Sequence, residues 1–290
     1  MEKLAFIGLG VMGYPMAGHL ANAGYSVTVY NRSQEKAAAW VKEYRGNHAA
    51  TPAEAAEQAD MVFTCVGNDD DVRSVTLGKD GVLAGLRTGG ILVDHTTASP
   101  KLARELETAS QARSCAFLDA PVSGGQAGAE NAQLTIMVGG QSATFEKADP
   151  VMGCYAKSVR LMGEAGSGQL TKAVNQICIA GVLQGLSEGL HFAEQVGLDI
   201  NAVVDVISKG AAQSWQMENR SATMADGKFD YGFAVDWMRK DLGIALDTGD
   251  EVSASLPLTA LVDQFYKDVQ RMGGGRWDTS SLIQRLRTEN

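Results

Sequence analysis

Over the first 160 or so residues, short runs of apolar side chains recur between longer stretches that are amphipathic or rich in alanine. This is the pattern of strands alternating with helices. The runs at residues 4–7, 27–30, 61–66, 91–94, 116–119, 134–138 and 158–161 are the predicted strands. Such alternation builds a mostly parallel sheet covered by helices on both faces, an α/β arrangement. Thr51, Pro52 and Glu54 spell a helix start: threonine caps, proline suits the first helical position, and the glutamate is expected to bond back to the cap. Ser99 and Pro100 repeat the punctuation.

Beyond Gly163 the strand signals stop and the chain reads as helices, over residues 168–196, 201–208, 215–224, 235–248, 257–272 and 280–287. The expected division is an N-terminal α/β domain of residues 1–163 and an all-α domain of residues 164–290. Gly210 and Gly273 are expected helix terminators. The helix at 168–196 contains no proline and would be roughly 40 Å long at 1.5 Å per residue. Gly181, Gly185 and Gly189 recur along it at four-residue spacing. They fall roughly opposite Lys172, whose own face carries Asn175, Gln176, Ile179, Leu183 and Leu190. The glycine ridge either admits a helix of another subunit or relieves crowding within this one.

The chemistry begins at the first turn. The run L-A-F-I-G-L-G-V-M-G places Gly8, Gly10 and Gly13 in G-x-G-x-x-G spacing directly after a strand, with Leu9, Val11 and Met12 between them. Gly8 suits a tight turn, Gly10 lets backbone approach a pyrophosphate, and Gly13 lets the new helix pack on the strand. Free N–H groups at that helix start favour negative charge, so nucleotide binding is expected. The second strand ends in Asn31 and Arg32 rather than in the carboxylate that grips the ribose of NAD. A carboxylate repels a 2′-phosphate and an arginine binds one, so NADP is preferred over NAD.

Composition narrows the partners. The 290-residue chain, 45% apolar, is long enough for two domains with real cores. A formal charge of -9 repels phosphate backbones and anionic lipid, so neither nucleic acid nor a membrane surface is expected. The opening apolar run meets Gly8 well before it could span a bilayer. Cys65, Cys115, Cys154 and Cys178 form no C-x-x-C pair, and His19, His48, His95 and His191 do not cluster. A reduced, cytoplasmic protein without a metal site is the expectation.

Four blocks in order resemble the β-hydroxyacid dehydrogenase family: F-I-G-L-G-V-M-G at 6–13, D-A-P-V-S-G-G at 119–125, G-S-G-Q-L-T-K-A-V-N at 166–175, and R-K-D-L-G around Lys240 and Asp241. The resemblance covers the full length. It implies a Rossmann-like N-terminal domain, a helical C-terminal domain joined through one long helix, and an active site in the cleft between them. It further implies that Lys172 is the catalytic acid/base, that Ser123, Gly124 and Gly125 hold a substrate carboxylate, and that Asn175 fixes the substrate. Val66, Thr97 and Lys240 match cofactor-side positions, and Phe233 and Asp241 substrate-side ones, although Phe233 would equally suit a core and Lys240 with Asp241 a structural charge pair.

The residue types suit that chemistry. Oxidising an alcohol needs a base for the hydroxyl proton as hydride leaves the adjacent carbon, and burial lowers a lysine's pKa enough for it to serve. On a helix, Lys172, Asn175 and Gln176 project to one side. The implied reaction moves a hydride between NADP(H) or NAD(H) and a small β-hydroxy acid or its semialdehyde, in a homodimer or homotetramer. The chain departs from the family at His95 and Thr96, where methionine and serine are common, at Gln176, where some relatives have asparagine, and at Ala132, where glycine is frequent. The alternatives are an imine reductase of the same fold, which would usually lack Lys172, and a nonenzymatic nucleotide-binding protein.

Overall fold

The computed structural model describes residues 2–287, and the chain divides into two compact units, Met1–Lys172 and Ala173–Asn290.

The first unit is built on nine strands: β1 (Lys3–Ile7), β2 (Ser26–Tyr30), β3 (Asn47–His48), β4 (Met61–Thr64), β5 (Ile91–Asp94), β6 (Ala116–Asp119), β7 (Val122–Ser123), β8 (Leu134–Gly140) and β9 (Ala156–Gly163). The order β3-β2-β1-β4-β5-β6 is parallel throughout. β8 then runs antiparallel to the end of β6 and to β7, with β9 parallel on its other side. Alternation along β1 explains the layering. Leu4 and Phe6 enter one apolar layer with Trp40, Phe63 and Tyr155, while Ala5 and Ile7 enter the opposite layer with Leu92, Leu102 and Phe117. Strand order reverses at β1, so the carboxyl ends of β1 and β4 open the crevice where such sheets take ligands.

The helix starts follow local chemistry. The Thr51 hydroxyl accepts the Glu54 N–H and the Ser99 hydroxyl accepts the Leu102 N–H, each with proline at the first helical position. The Glu54 carboxylate, however, accepts from Ala50 N–H at 2.8 Å, one residue before the expected cap.

The long helix Ser167–Gln195 carries the chain from the first unit into the second. Gly197, at φ 77°, ends it: Leu198 N–H returns to Ala193 carbonyl and Gly197 N–H to Glu194 carbonyl. The second unit adds helices Ile200–Ile207, Trp215–Ala225, Val235–Glu251, Pro257–Arg271 and Leu282–Arg287, close to the expected set. Ala180, Leu183, Met238, Leu242, Val262 and Tyr266 form its main core. Gly273 (φ 86°) terminates its helix as expected, but Gly210 is not left-handed and lies three residues past Ile207, where successive short turns end the helix instead. Along the long helix, a Cβ at Gly181 would press on Leu258, whereas at Gly185 and Gly189 it would meet nothing. Relief of crowding within the chain therefore accounts for the first glycine alone. Among the described residues no helix is long and apolar enough to cross a membrane.

Candidate active site

The glycine turn sits at the carboxyl end of β1. Gly8 is left-handed at φ 99°, and its N–H donates to Tyr30 carbonyl at 2.8 Å. A Cβ on Gly8 would strike Cys65 carbonyl and one on Gly13 would strike Gly8 carbonyl, while one on Gly10 would face open space. Gly8 and Gly13 are therefore demanded by backbone closeness, and Gly10 leaves the turn uncovered on its outer side. Leu9 is buried in the core and Val11 is exposed, with the half-buried Met12 leading into the helix Gly13–Asn22. Asn31 holds the turn: its Oδ1 accepts Leu9 N–H at 2.9 Å and its Nδ2 donates to Ser33 carbonyl. Arg32 projects into solvent, 92% exposed and 3.9 Å from Asp71.

At the ends of β4 and β5 the backbone is tied by a buried network. Val66 N–H donates to the Thr96 hydroxyl at 3.0 Å, and Asp94 accepts from the Thr64 hydroxyl and from Thr96 N–H. Burial pushes the Asp94 carboxyl up to about 6. His95 is also buried. Its Nδ1–H donates to Ala120 carbonyl at 2.6 Å, so its Nε2 accepts the Tyr155 hydroxyl at 2.8 Å, and burial lowers the imidazole to about 4. The two departures at 95 and 96 thus serve the scaffold beneath the half-buried Thr97 rather than a pocket surface.

Ser123 ends β7, half-buried, and the chain turns through Gly124 (φ 136°) and Gly125 (φ 62°), conformations that L side chains rarely adopt. Both glycines are exposed, and the short helix Gly125–Glu130 starts there. His19, on the glycine-turn helix, donates through Nε2–H to the carbonyls of Ala129 and Glu130, fastening that helix to the end of the short one.

Lys172 lies in the second turn of the long helix and is only 7% exposed. The first turn is anchored within the same unit. Asp119 accepts Gly166 N–H at 2.7 Å and Gln169 N–H at 2.9 Å, while the Gln169 side chain reaches the segment at 96–98. Burial raises the Asp119 pKa and these backbone donors oppose the shift. Neither residue was a candidate from sequence, although both stand inside recognised motifs.

In the second unit, Asn175 Nδ2 donates to Gln176 Oε1 at 2.8 Å, and Gln176 Nε2 donates to Asp241 Oδ2 at 2.7 Å. Lys240 Nζ stands 3.1 Å from Asp241 Oδ1. That oxygen has the ion pair without a well-directed hydrogen bond. Asp241 is 2% exposed, so its carboxylate orients Gln176 and, through it, Asn175. The half-buried Phe233 packs beside the core around Val235 and Met238, and its N–H donates to the buried Asp278. Among the described residues no group of three or more His, Cys, Asp or Glu side chains could hold a metal ion.

Comparison with known proteins identifies the family. Residues 3–163 match the NAD binding domain of 6-phosphogluconate dehydrogenase, and residues 166–286 match the NAD-binding domain of NADP-dependent 3-hydroxyisobutyrate dehydrogenase. An uncharacterised oxidoreductase of Shewanella frigidimarina is 62% identical over 99% of this chain and 98% of its own. A probable mitochondrial 3-hydroxyisobutyrate dehydrogenase-like protein of Arabidopsis thaliana is 43% identical over 99% of this chain and 86% of its own. The solved 3-hydroxyisobutyrate dehydrogenase of Mycobacterium tuberculosis, determined with L-serine, superposes with a TM-score of 0.89 at 31% identity and covers 99% of each chain. With both halves matched and relatives aligned end to end, the chain belongs to the β-hydroxyacid dehydrogenase family and is an NAD(P)-dependent oxidoreductase acting on hydroxy acids.

Proposed function

We propose that this enzyme interconverts a small β-hydroxy acid and its semialdehyde with NADP(H) in preference to NAD(H), using Lys172 as the general acid/base. The observation that carries the reading is the burial of Lys172 on the same side of one helix as Asn175 and Gln176. An amine held at that position can take the hydroxyl proton in oxidation and return it to the carbonyl oxygen in reduction.

The glycine turn fits a dinucleotide, because Gly10 leaves open space where a pyrophosphate would meet backbone N–H groups. The bound nicotinamide supplies or accepts the hydride. Around it in the first unit, Gly8, Leu9, Gly10, Val11, Met12 and Gly13 offer backbone, Val66 and Thr97 line its course, and Arg32, with no carboxylate at position 31, faces the 2′-phosphate. The Ser123 hydroxyl and the N–H groups of Gly124 and Gly125 bind the substrate carboxylate, and L-serine in the Mycobacterium enzyme is itself a 3-hydroxy carboxylate. Asn175, held by Gln176 and Asp241, and Phe233 contact the remainder. The uncovered Gly185 and Gly189, beside the 65% exposed Phe192, support a homo-oligomer packed through this helix.

A panel of hydroxy acids and semialdehydes, each with its methyl ester, run with NADPH or NADH and the corresponding oxidised cofactors, tests the reading. It predicts turnover that needs the free carboxylate and favours the phosphorylated cofactor. Esters turned over as well as acids would remove the carboxylate assignment.

A further inference from the structure

We propose that Gln169, together with Asp119, is a positioning residue that sets the proton-transfer group Lys172 and the cofactor-side segment carrying Thr97 in one rigid frame. This rests on the acid/base reading of Lys172. It adds that the distance between proton transfer and hydride transfer is held by a buried amide and a buried carboxylate.

Gln169 is 3% exposed and uses both ends of its side chain on one stretch of backbone. Its Nε2 donates to Thr96 carbonyl at 2.7 Å and its Oε1 accepts Ala98 N–H at 3.0 Å. Thr97 is the residue between those two contacts. Lys172 follows Gln169 by three positions, so the two lie on one face in successive turns. Any rotation or slide of the helix that moved Lys172 would break the amide's grip, and any shift of Thr97 would do the same.

Asp119 supplies the other constraint. Its carboxylate accepts N–H groups at the helix start, from Gly166 and Gln169, and so fixes the helix along its axis. Gly168 explains the closeness of the fit: a Cβ there would fall 2.7 Å from Asp119 carbonyl and 2.8 Å from its Oδ2. The far side is equally tied, since Thr96 is bonded through its hydroxyl to Val66 N–H and through its N–H to Asp94. Glutamine alone has the length, the donor and the acceptor for this job. Glutamate would turn an acceptor toward Thr96 carbonyl, and leucine would fill the volume and leave both backbone groups unmet.

The test uses Gln169→Leu, Gln169→Glu and Lys172→Ala in the full-length protein, measuring kcat, NADPH dissociation by fluorescence, and the primary isotope effect with deuterated NADPH. Because displacements near 1 Å cost about 100-fold when reacting groups must align, Gln169→Leu is expected to lower kcat about 10- to 100-fold, with the NADPH dissociation constant within about threefold of the parent. The isotope effect on kcat should rise, as the chemical step becomes more fully rate-limiting. Gln169→Glu, which keeps the Ala98 contact, should fall between parent and leucine variant, and decides the matter if the leucine variant does not fold. A kcat within twofold of the parent in either folded variant overturns the proposal. So does an NADPH affinity that falls in proportion to kcat, since the amide would then only shape the cofactor site. If Lys172→Ala retains full activity, the acid/base reading fails and this inference with it; if Lys172→Ala is inactive while the Gln169 variants are normal, only the inference fails.

Discussion

The side-chain oxygen of Asn31 accepts the backbone N–H of Leu9 at 2.9 Å, so the residue that follows β2 also fastens the middle of the glycine turn. An aspartate at this position would keep that contact and add a negative charge where NADP carries its 2′-phosphate. Asn31→Asp is therefore expected to reduce kcat/KM for NADPH at least about tenfold, roughly 1.4 kcal/mol, while NADH changes by less than about threefold. Arg32→Ala should move the two cofactors in the same sense. Equal losses with NADPH and NADH in both variants would count against the phosphate assignment.

Ala132 carries a left-handed backbone, φ 54°, just past the end of the helix Gly125–Glu130, at the position where a helix commonly stops on glycine. The Cβ is strained there, so this departure from the family's glycine has a conformational cost. Ala132→Gly should raise unfolding stability by about 0.5–1 kcal/mol in urea titrations, with the m-value unchanged. A destabilised variant would show that the methyl group's packing outweighs its backbone strain.

His95 gives a pH signature. Its folded-state pKa is about 4, below the ordinary 6.5, so the unfolded chain takes up the proton first. The stability it confers is complete above pH 6.5 and is lost as the pH falls from there toward 4. Between pH 7.5 and pH 5 the loss attributable to this residue is about 2 kcal/mol. Asp94, raised to about 6, tilts the protein the opposite way over an overlapping range, since its folded form holds the proton longer. Comparison with a variant isolates the histidine: the stability gap between the parent and His95→Gln should shrink by about 2 kcal/mol from pH 7.5 to pH 5. A constant gap would mean that the imidazole is not held neutral.

Much of this architecture was legible because it is periodic or local. The seven main strands, the long helix and the caps at Thr51 and Ser99 follow from patterns within a few residues. β3 and β7 were not legible, because a two-residue strand has no period to read. Glycine alone did not identify a helix stop at Gly210, since the helix had already closed on short turns. The roles of Asp119 and Gln169, and the hold of Asp241 on Gln176, escaped for another reason. Their partners lie 47 to 73 residues away in the chain, and motif spacing along one segment carries no sign of them. Of the two readings open for Asp241, a substrate-side residue or a charge pair with Lys240, the structure shows the charge pair and adds the bond from Gln176.

The central claim is tested most directly by Lys172→Ala, assayed for hydroxy-acid oxidation and, separately, for NADPH binding by fluorescence. General acid/base groups contribute about 100- to 10,000-fold, so kcat should fall by that factor while the dissociation constant for NADPH changes by less than about threefold. Turnover close to that of the parent, with the cofactor still bound, would contradict the account.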